Sequence, residues 1–231
     1  MLKIAQVTDI HIGGEHDGKY FVRDNFEKVI KAIPKDVNMV VITGDVADNN
    51  YEENYKYVRD FLDDNLNGID YVVLGGNHDD ITILRDVFRD NSFDDGVVNI
   101  NFINEKTVLT FLDTSNGLVN SEDIDNIPNN AIVFTHFPLG KMYHEFMKKF
   151  ALTNLEKVEE LVIPRVKEVF CGHFHYANDE GNIHVAPATQ CQIDPNNELF
   201  TPVHNYGYRL IGLENEEVIE NKVIWVEINE E

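Results

Sequence analysis

Five short apolar runs constrain this chain most: "LKIAQVTDIH" (2–11), "MVVITGD" (39–45), "YVVLGGNHD" (71–79), "AIVFTH" (131–136) and "EVFCGH" (168–173). Runs of this length, rich in Val, Ile and Phe and closed by turn residues, suggest strands buried on both faces. Helical patterns follow the first three, over 20–33, 50–66 and 81–90. The first helix places Phe21, Phe26, Val29, Ile30 and Ile33 near one face, and the second does the same with Tyr51, Tyr55, Val58, Phe61 and Leu62. After about residue 95 the runs shorten and alternate: "VVNIN", "KTVLTFLDT", "IHVAPA", "YRLIGLE" and "KVIWVEI". These form a second, partly antiparallel group of strands, with a hairpin across "ENEEVIEN" (214–221). Two packed sheets with outer helices suit this order.

What ends the five runs matters more than the runs themselves. They close on Asp9 and His11, on Asp45, on Asn77 and His78, on His136, and on His173 with His175 two positions later. Ligands of α/β sheets bind where the carboxyl ends of strands converge. Each residue alone has an ordinary reading as a turn or a solvated side chain, but accidents would scatter them along the chain. One divalent ion takes about four to six ligands, so this set overfills it and suits two metals sharing a carboxylate. Imidazole, carboxylate and amide oxygen without thiolate favour Mn, Fe or Zn.

In order and spacing, "DIH" (9–11), "GD" (44–45), "GNHD" (76–79), "HFP" (136–138) and "GHFH" (172–175) resemble the five motifs of the calcineurin-like metallophosphoesterases. The later stretch "APATQCQI" (186–193) with "YGYRLIGL" (206–213) is similar, more loosely, to the class III cyclic-nucleotide phosphodiesterase branch. The resemblance implies an α/β fold, a four-layer α/β/β/α sandwich of two mixed sheets flanked by helices, as one domain over 1–231. It implies one metal on Asp9, His11, Asp45 and His175 and a second on Asp45, Asn77, His136 and His173, with Asp45 bridging. His78 is expected to face the substrate phosphate and assist the leaving group, and Asp79 to orient His78. The implied chemistry is attack on phosphorus by a hydroxide held between the metals, which bring the pKa of water toward neutrality.

Composition narrows the substrate. Nineteen Lys and Arg stand against 41 Asp and Glu, a formal net charge of −22. Such a surface disfavours nucleic-acid polymers, whose phosphates are neutralised by basic side chains, and anionic membranes. Two divalent ions against Asp9, Asp45 and a hydroxide still leave one net positive charge, enough to attract a small phosphorylated substrate. A phosphodiester is the leading expectation, with cyclic nucleotides favoured by the tail. A phosphomonoesterase or nucleotide pyrophosphatase is the alternative, and a non-catalytic scaffold of the same fold the outside one. Two cysteines, Cys171 and Cys191, fit a reducing cytoplasm. His16, His144, His184 and His204 read as surface or locally bonded residues, with His204 and Asn205 near enough to the tail to approach substrate. Oligomeric state stays open.

Overall fold

The computed structural model describes residues 1–14, 17–48, 51–92, 97–102 and 107–226. His16 lies outside them. In chain order the elements are β1 (Leu2–Val7), α1 (Asp17–Tyr20), α2 (Val22–Ala32), β2 (Met39–Thr43), α3 (Glu52–Asn65), β3 (Asp70–Leu74) and α4 (Ile81–Phe88). There follow β4 (Val97–Phe102), β5 (Thr107–Leu112), α5 (Ser121–Asn126), β6 (Ile132–Thr135), α6 (Leu155–Val162) and β7 (Glu168–Cys171). The last are β8 (Asn178–Glu180), β9 (Ile183–Val185), β10 (Gln192–Ile193), β11 (Pro202–Val203), β12 (Gly207–Glu214) and β13 (Glu217–Trp225).

Two mixed sheets result. The first runs β13-β12-β1-β2-β3, with β1, β2 and β3 parallel and the β12–β13 hairpin added antiparallel beside β1. The second runs β4-β5-β6-β7-β9-β8, parallel through β5, β6, β7 and β9 and antiparallel at both edges. The five apolar runs are thus divided, three in one sheet and two in the other. The late alternating strands complete both sheets instead of forming one of their own.

The two-residue period of a strand explains the layers. Ile4, Val41, Leu74, Phe111, Phe134 and Phe170 point between the sheets and share one core. Phe111, Phe134 and Phe170 stack across neighbouring strands with centroids 5.6 and 5.4 Å apart. Their alternate neighbours face outward. Ala5, Val7, Val40 and Ile42 bury the apolar faces of α2, α3 and α4, while Val133, Val169 and Cys171 do so for α6. The order of layers is α/β/β/α.

Polar ties cross between the sheets. The Gln6 amide donates to the Thr43 hydroxyl and the Cys171 carbonyl, each at 3.0 Å, so β1, β2 and β7 are fixed together just before the polar rim. At another edge Arg209 of β12, itself buried, reaches Asp179 of β8 at 3.0 Å and the Val185 carbonyl at 2.8 Å. His184 joins this cluster, with Nδ1 2.7 Å from Asp179 and Nε2 2.8 Å from Glu168. His184 is buried and hydrogen-bonded, not a surface residue.

Burial opposes a charge on His184, but the bonds to Asp179 and Glu168 outweigh it and raise its pKa above the usual imidazole value. A raised folded-state pKa stabilises fully below the unfolded value of about 6.5 and is lost as pH rises through the folded value. His184→Gln should therefore lower the urea midpoint more at pH 6 than at pH 9. An equal loss at both would remove the charged pairing as its cause.

Candidate metal centre and cavity

The rim residues sit just past the strand ends. Asp9 and His11 follow β1, Asp45 follows β2, Asn77 and His78 follow β3, His136 follows β6, and His173 and His175 follow β7. The stacking of the two sheets brings these ends together. Backbone bonds fasten the first two turns, Asp9 N–H to the Gly44 carbonyl at 3.1 Å and His11 N–H to the Asp45 carbonyl at 2.9 Å.

The backbone conformation is unusual at these positions. Asp9, His11, Asp45, His173 and His175 all have positive φ, between 48° and 69°. Only a few per cent of non-glycine residues adopt this left-handed region, and such outliers gather at functional sites because surrounding structure must hold them there. The turn reverses the strand and aims the next side chain inward. The adjoining glycines give room: a methyl group on Gly172 would collide with the Thr8 hydroxyl, and one on Gly76 with the Asp45 carboxylate.

Among the described residues, three donor groups arise: Asp9 with His11 and His175, His11 with Asp45 and His78, and Asp45 with His136 and His173. Within the first, His11 Nε2 lies 3.0 Å from His175 Nε2, and His175 Nε2 lies 3.3 Å from Asp9 Oδ1. Within the last, His136 Nε2 lies 3.3 Å from Asp45 Oδ2 and 3.1 Å from Asn77 Oδ1. Asp45 Oδ2 is also 3.6 Å from His11 Nε2, so this oxygen belongs to both ends of the cluster.

The other ring nitrogens explain why these contacts call for cations. His175 Nδ1 meets the Cys191 carbonyl at 3.0 Å, and His136 Nδ1 meets the Thr43 carbonyl at 2.8 Å. His11 Nδ1 meets Asp48 Oδ1 at 2.5 Å, and His173 Nε2 meets the Phe150 carbonyl at 3.0 Å. A carbonyl or carboxylate partner requires that nitrogen to carry the proton, which leaves the inward nitrogen of a neutral ring as a lone pair. With neutral rings, lone pairs face lone pairs and carboxylate oxygens, a crowding that positive charge relieves, whether a proton on His175 or His136, both of whose pKa values are raised, or a bound cation. Donors bound to one ion at about 2.0–2.2 Å stand roughly 3–3.5 Å apart, which is the spacing found. The donor set fits a pair of metal ions.

The carboxylates are held in register by backbone amides. His173 N–H donates to Asp9, at 3.2 and 3.0 Å from its two oxygens, and His78 N–H donates to Asp45 Oδ1 at 2.9 Å. Burial opposes the Asp9 charge, yet His175 holds its pKa down at about 2. For Asp45, burial is likewise outweighed, chiefly by His136, and its pKa falls well below the ordinary value.

Asp79 departs from expectation. Its carboxylate accepts from the backbone amides of Val46 (3.1 Å), Ala47 (3.0 Å) and Gly76 (2.9 Å), so it ties the second rim turn to the third. The carboxylate on the His78 ring is that of Asp48, whose Oδ1 lies 2.9 Å from His78 Nδ1 and also receives His11. This contact raises the His78 pKa. Asp48 is the functional residue that sequence reasoning missed. Its signal was a carboxylate three residues beyond Asp45, in the turn that follows β2. His204 packs on Tyr20 with centroids 5.3 Å apart, the Asn205 carbonyl accepts from the Gln192 amide, and neither residue lines the cavity over the donors.

Above the donors opens a cavity of about 510 Å³. His11, Asp45, Asn77, His78, His173 and His175 form its floor, and His78 is about half exposed there. Phe137, Phe146, Met147, Phe150, Ile193 and Phe200 form much of the wall. The Phe137 ring lies against His173, centroids 3.9 Å apart.

The family model described as calcineurin-like phosphoesterase matches residues 2–177, which includes every donor. The chain belongs to this family. As a calcineurin-like phosphoesterase it is a phosphoric ester hydrolase, and the paired metals characteristic of the family match the donor groups found. Among its relatives is a probable cyclic nucleotide phosphodiesterase of Fibrobacter succinogenes, 28% identical, with 87% of this chain and 84% of the relative covered. Another of that description, from Coxiella burnetii, is 26% identical over 97% of this chain and 98% of its own. Among solved structures, purple acid phosphatase from yellow lupin seeds superposes with a TM-score of 0.57 at 12% identity, over 91% of this chain. The chain spans about half the length of that phosphatase, and the likeness is one of fold.

Asp48→Asn should weaken Mn²⁺ binding about 10- to 100-fold, as loss of an outer partner of a ligating imidazole does. Calorimetric titration of the metal-stripped protein measures it. An unchanged affinity would mean that His11 needs no such partner.

Proposed function

We propose that this phosphoesterase hydrolyses small phosphodiesters, with cyclic nucleotides the favoured substrates. The observation that carries the reading is a donor cluster with a common Asp45 oxygen at the floor of a cavity able to admit a phosphate ester. The names of the two relatives support the diester and nucleotide preference. One metal would be held by Asp9, His11, Asp45 and His175 and the other by Asp45, Asn77, His136 and His173, with Mn, Fe or Zn suited to the donor types. When bound, the pair supplies positive charge for the phosphate oxygens and an acidified water as nucleophile.

The chain's own residues do the rest. Hydrolysis adds water across a P–O ester bond: hydroxyl goes to phosphorus and a proton must reach the departing oxygen. His78 suits that donation because Asp48 engages Nδ1 and leaves Nε2 as the ring atom toward substrate. It shares the rim with the donors but is far more exposed than the histidine and aspartate donors, as a group that meets substrate must be. Asp48 and the Asp45 contact to the His78 amide hold the ring in place. The strongly acidic surface keeps nucleic-acid polymers out of this reading. The two free, buried cysteines support a reducing, cytoplasmic setting.

Metal-stripped protein reloaded with Mn²⁺ should cleave bis(p-nitrophenyl) phosphate and cyclic AMP faster than p-nitrophenyl phosphate. Preference for the monoester would overturn the diester reading, and inactivity with two ions bound would overturn catalysis altogether. His78→Ala should keep both metals and lose about 10²–10⁴-fold in kcat, the usual contribution of a general acid. Loss of metal in that variant would make His78 a ligand instead.

A further inference from the structure

The metal rim accounts for the phosphate, but the cavity wall beside it is unassigned. Three phenylalanines come together there: Phe146 meets Phe150 edge to face with centroids 5.6 Å apart, and Phe200 at 5.9 Å. Phe150 is 47% exposed and Phe200 40%, although both are large apolar side chains beside a pocket. Phe146 and Phe150 lie on the segment around 142–153, and Phe200 comes from the loop joining β10 to β11. The wall is anchored to the donors, because the Phe150 carbonyl receives the His173 ring proton at 3.0 Å.

The ring faces are reachable from outside. Lys149 Nζ stands 4.1 Å from the Phe146 centroid and 5.0 Å from that of Phe150, so a solvent-borne group already lies over both. Beyond the rim, polar side chains on the cavity are few. The Thr153 hydroxyl is turned to the Gly117 carbonyl, and Gln190, whose Oε1 accepts from the Cys191 thiol at 3.9 Å, lies at the foot of the rim. A cavity of about 510 Å³ lies within the range of roughly 300–1,000 Å³ that encloses small organic ligands.

We propose that Phe146, Phe150 and Phe200 form a stacking wall for the nucleobase of a nucleotide substrate, which is held by its face and not by its hydrogen-bonding edge. This rests on the phosphodiesterase reading of the same site. An alkyl chain gains from burial on all sides, which an open, half-exposed wall does not give. A flat base gains from ring faces and edges presented on one side, and stacking tolerates any base because each has a π-face. Purines, with more area, should be preferred to pyrimidines. Adenine and guanine should be treated nearly alike, since the wall has little to read their edges.

The test compares Mn²⁺-loaded wild type with Phe150→Ala/Phe200→Ala and, to keep apolar bulk while removing the ring, Phe150→Leu/Phe200→Leu. Substrates are cyclic AMP, cyclic GMP, cyclic CMP and the cyclic phosphate of 1,3-propanediol, which has no base. In wild type, kcat/KM for cyclic AMP and cyclic GMP should agree within about threefold and exceed that for cyclic CMP. In both variants the ratio of kcat/KM for cyclic AMP over the propanediol ester should fall at least about tenfold. An unchanged ratio would overturn the wall. Binding of 2-aminopurine riboside, followed by its fluorescence in the metal-stripped protein, gives a readout free of catalysis and should weaken in the same variants. If wild type cleaves no phosphodiester yet binds this probe through the phenylalanines, the phosphodiesterase reading falls and the wall stands. If the probe binds equally to all three proteins, or to none, the wall falls.

Discussion

Electron-pair donors crowded together repel one another, and the rest of this structure is arranged to hold such a crowd in place. Imidazole nitrogens, carboxylate oxygens and an amide oxygen meet at 3.0–3.6 Å, with the other ring nitrogens engaged by outer partners. No single strand could impose this. The donors come from turns after five strands in two sheets, and five of them occupy left-handed backbone positions that a non-glycine residue adopts at a cost. The apolar layer between the sheets, led by Phe111, Phe134 and Phe170, provides the rigidity on which those turns depend. Gln6 carries that rigidity from the layer to the rim.

Much of this was legible in the sequence, for physical reasons. Strands buried on both faces must be apolar throughout, so β1, β2, β3, β6 and β7 stood out, and donors at the end of each marked the rim. Helices α2 and α3 bury most of the expected stripe, Phe26, Val29 and Ile30 in one and Tyr55, Val58 and Leu62 in the other, but Phe21 and Tyr51 sit just before the helices and are exposed. What was hidden depends on contacts distant in the chain. Nothing in the runs themselves says that β12 and β13 extend the first sheet while β4, β5, β8 and β9 flank the second. Helix α5, of six residues, offered too few turns to stand out from loop.

The site shows the same division. Ligand-type residues declare themselves by chemistry and position, whereas their outer partners do not. Asp79 and Asp48 are both carboxylates next to motif residues, and only folding decides that Asp79 bonds three backbone amides while Asp48 meets two imidazoles. Backbone partners are less visible still, because the Cys191 and Thr43 carbonyls that set ring tautomers carry no side-chain signature. The aromatic wall was obscure because Phe146 and Phe150 lie about 50 positions from Phe200.

The stretch after the family motifs has a further consequence. Gln190 N–H bonds to the Asp9 carbonyl, and the Cys191 carbonyl receives the His175 proton, so residues 190 and 191 close the rim that Asp9 and His11 open. During synthesis Asp9, His11 and Asp45 leave the ribosome long before residue 191 exists. The growing chain therefore lacks both ties until residues 190 and 191 have been made, so the rim is a part of the fold that cannot be completed early.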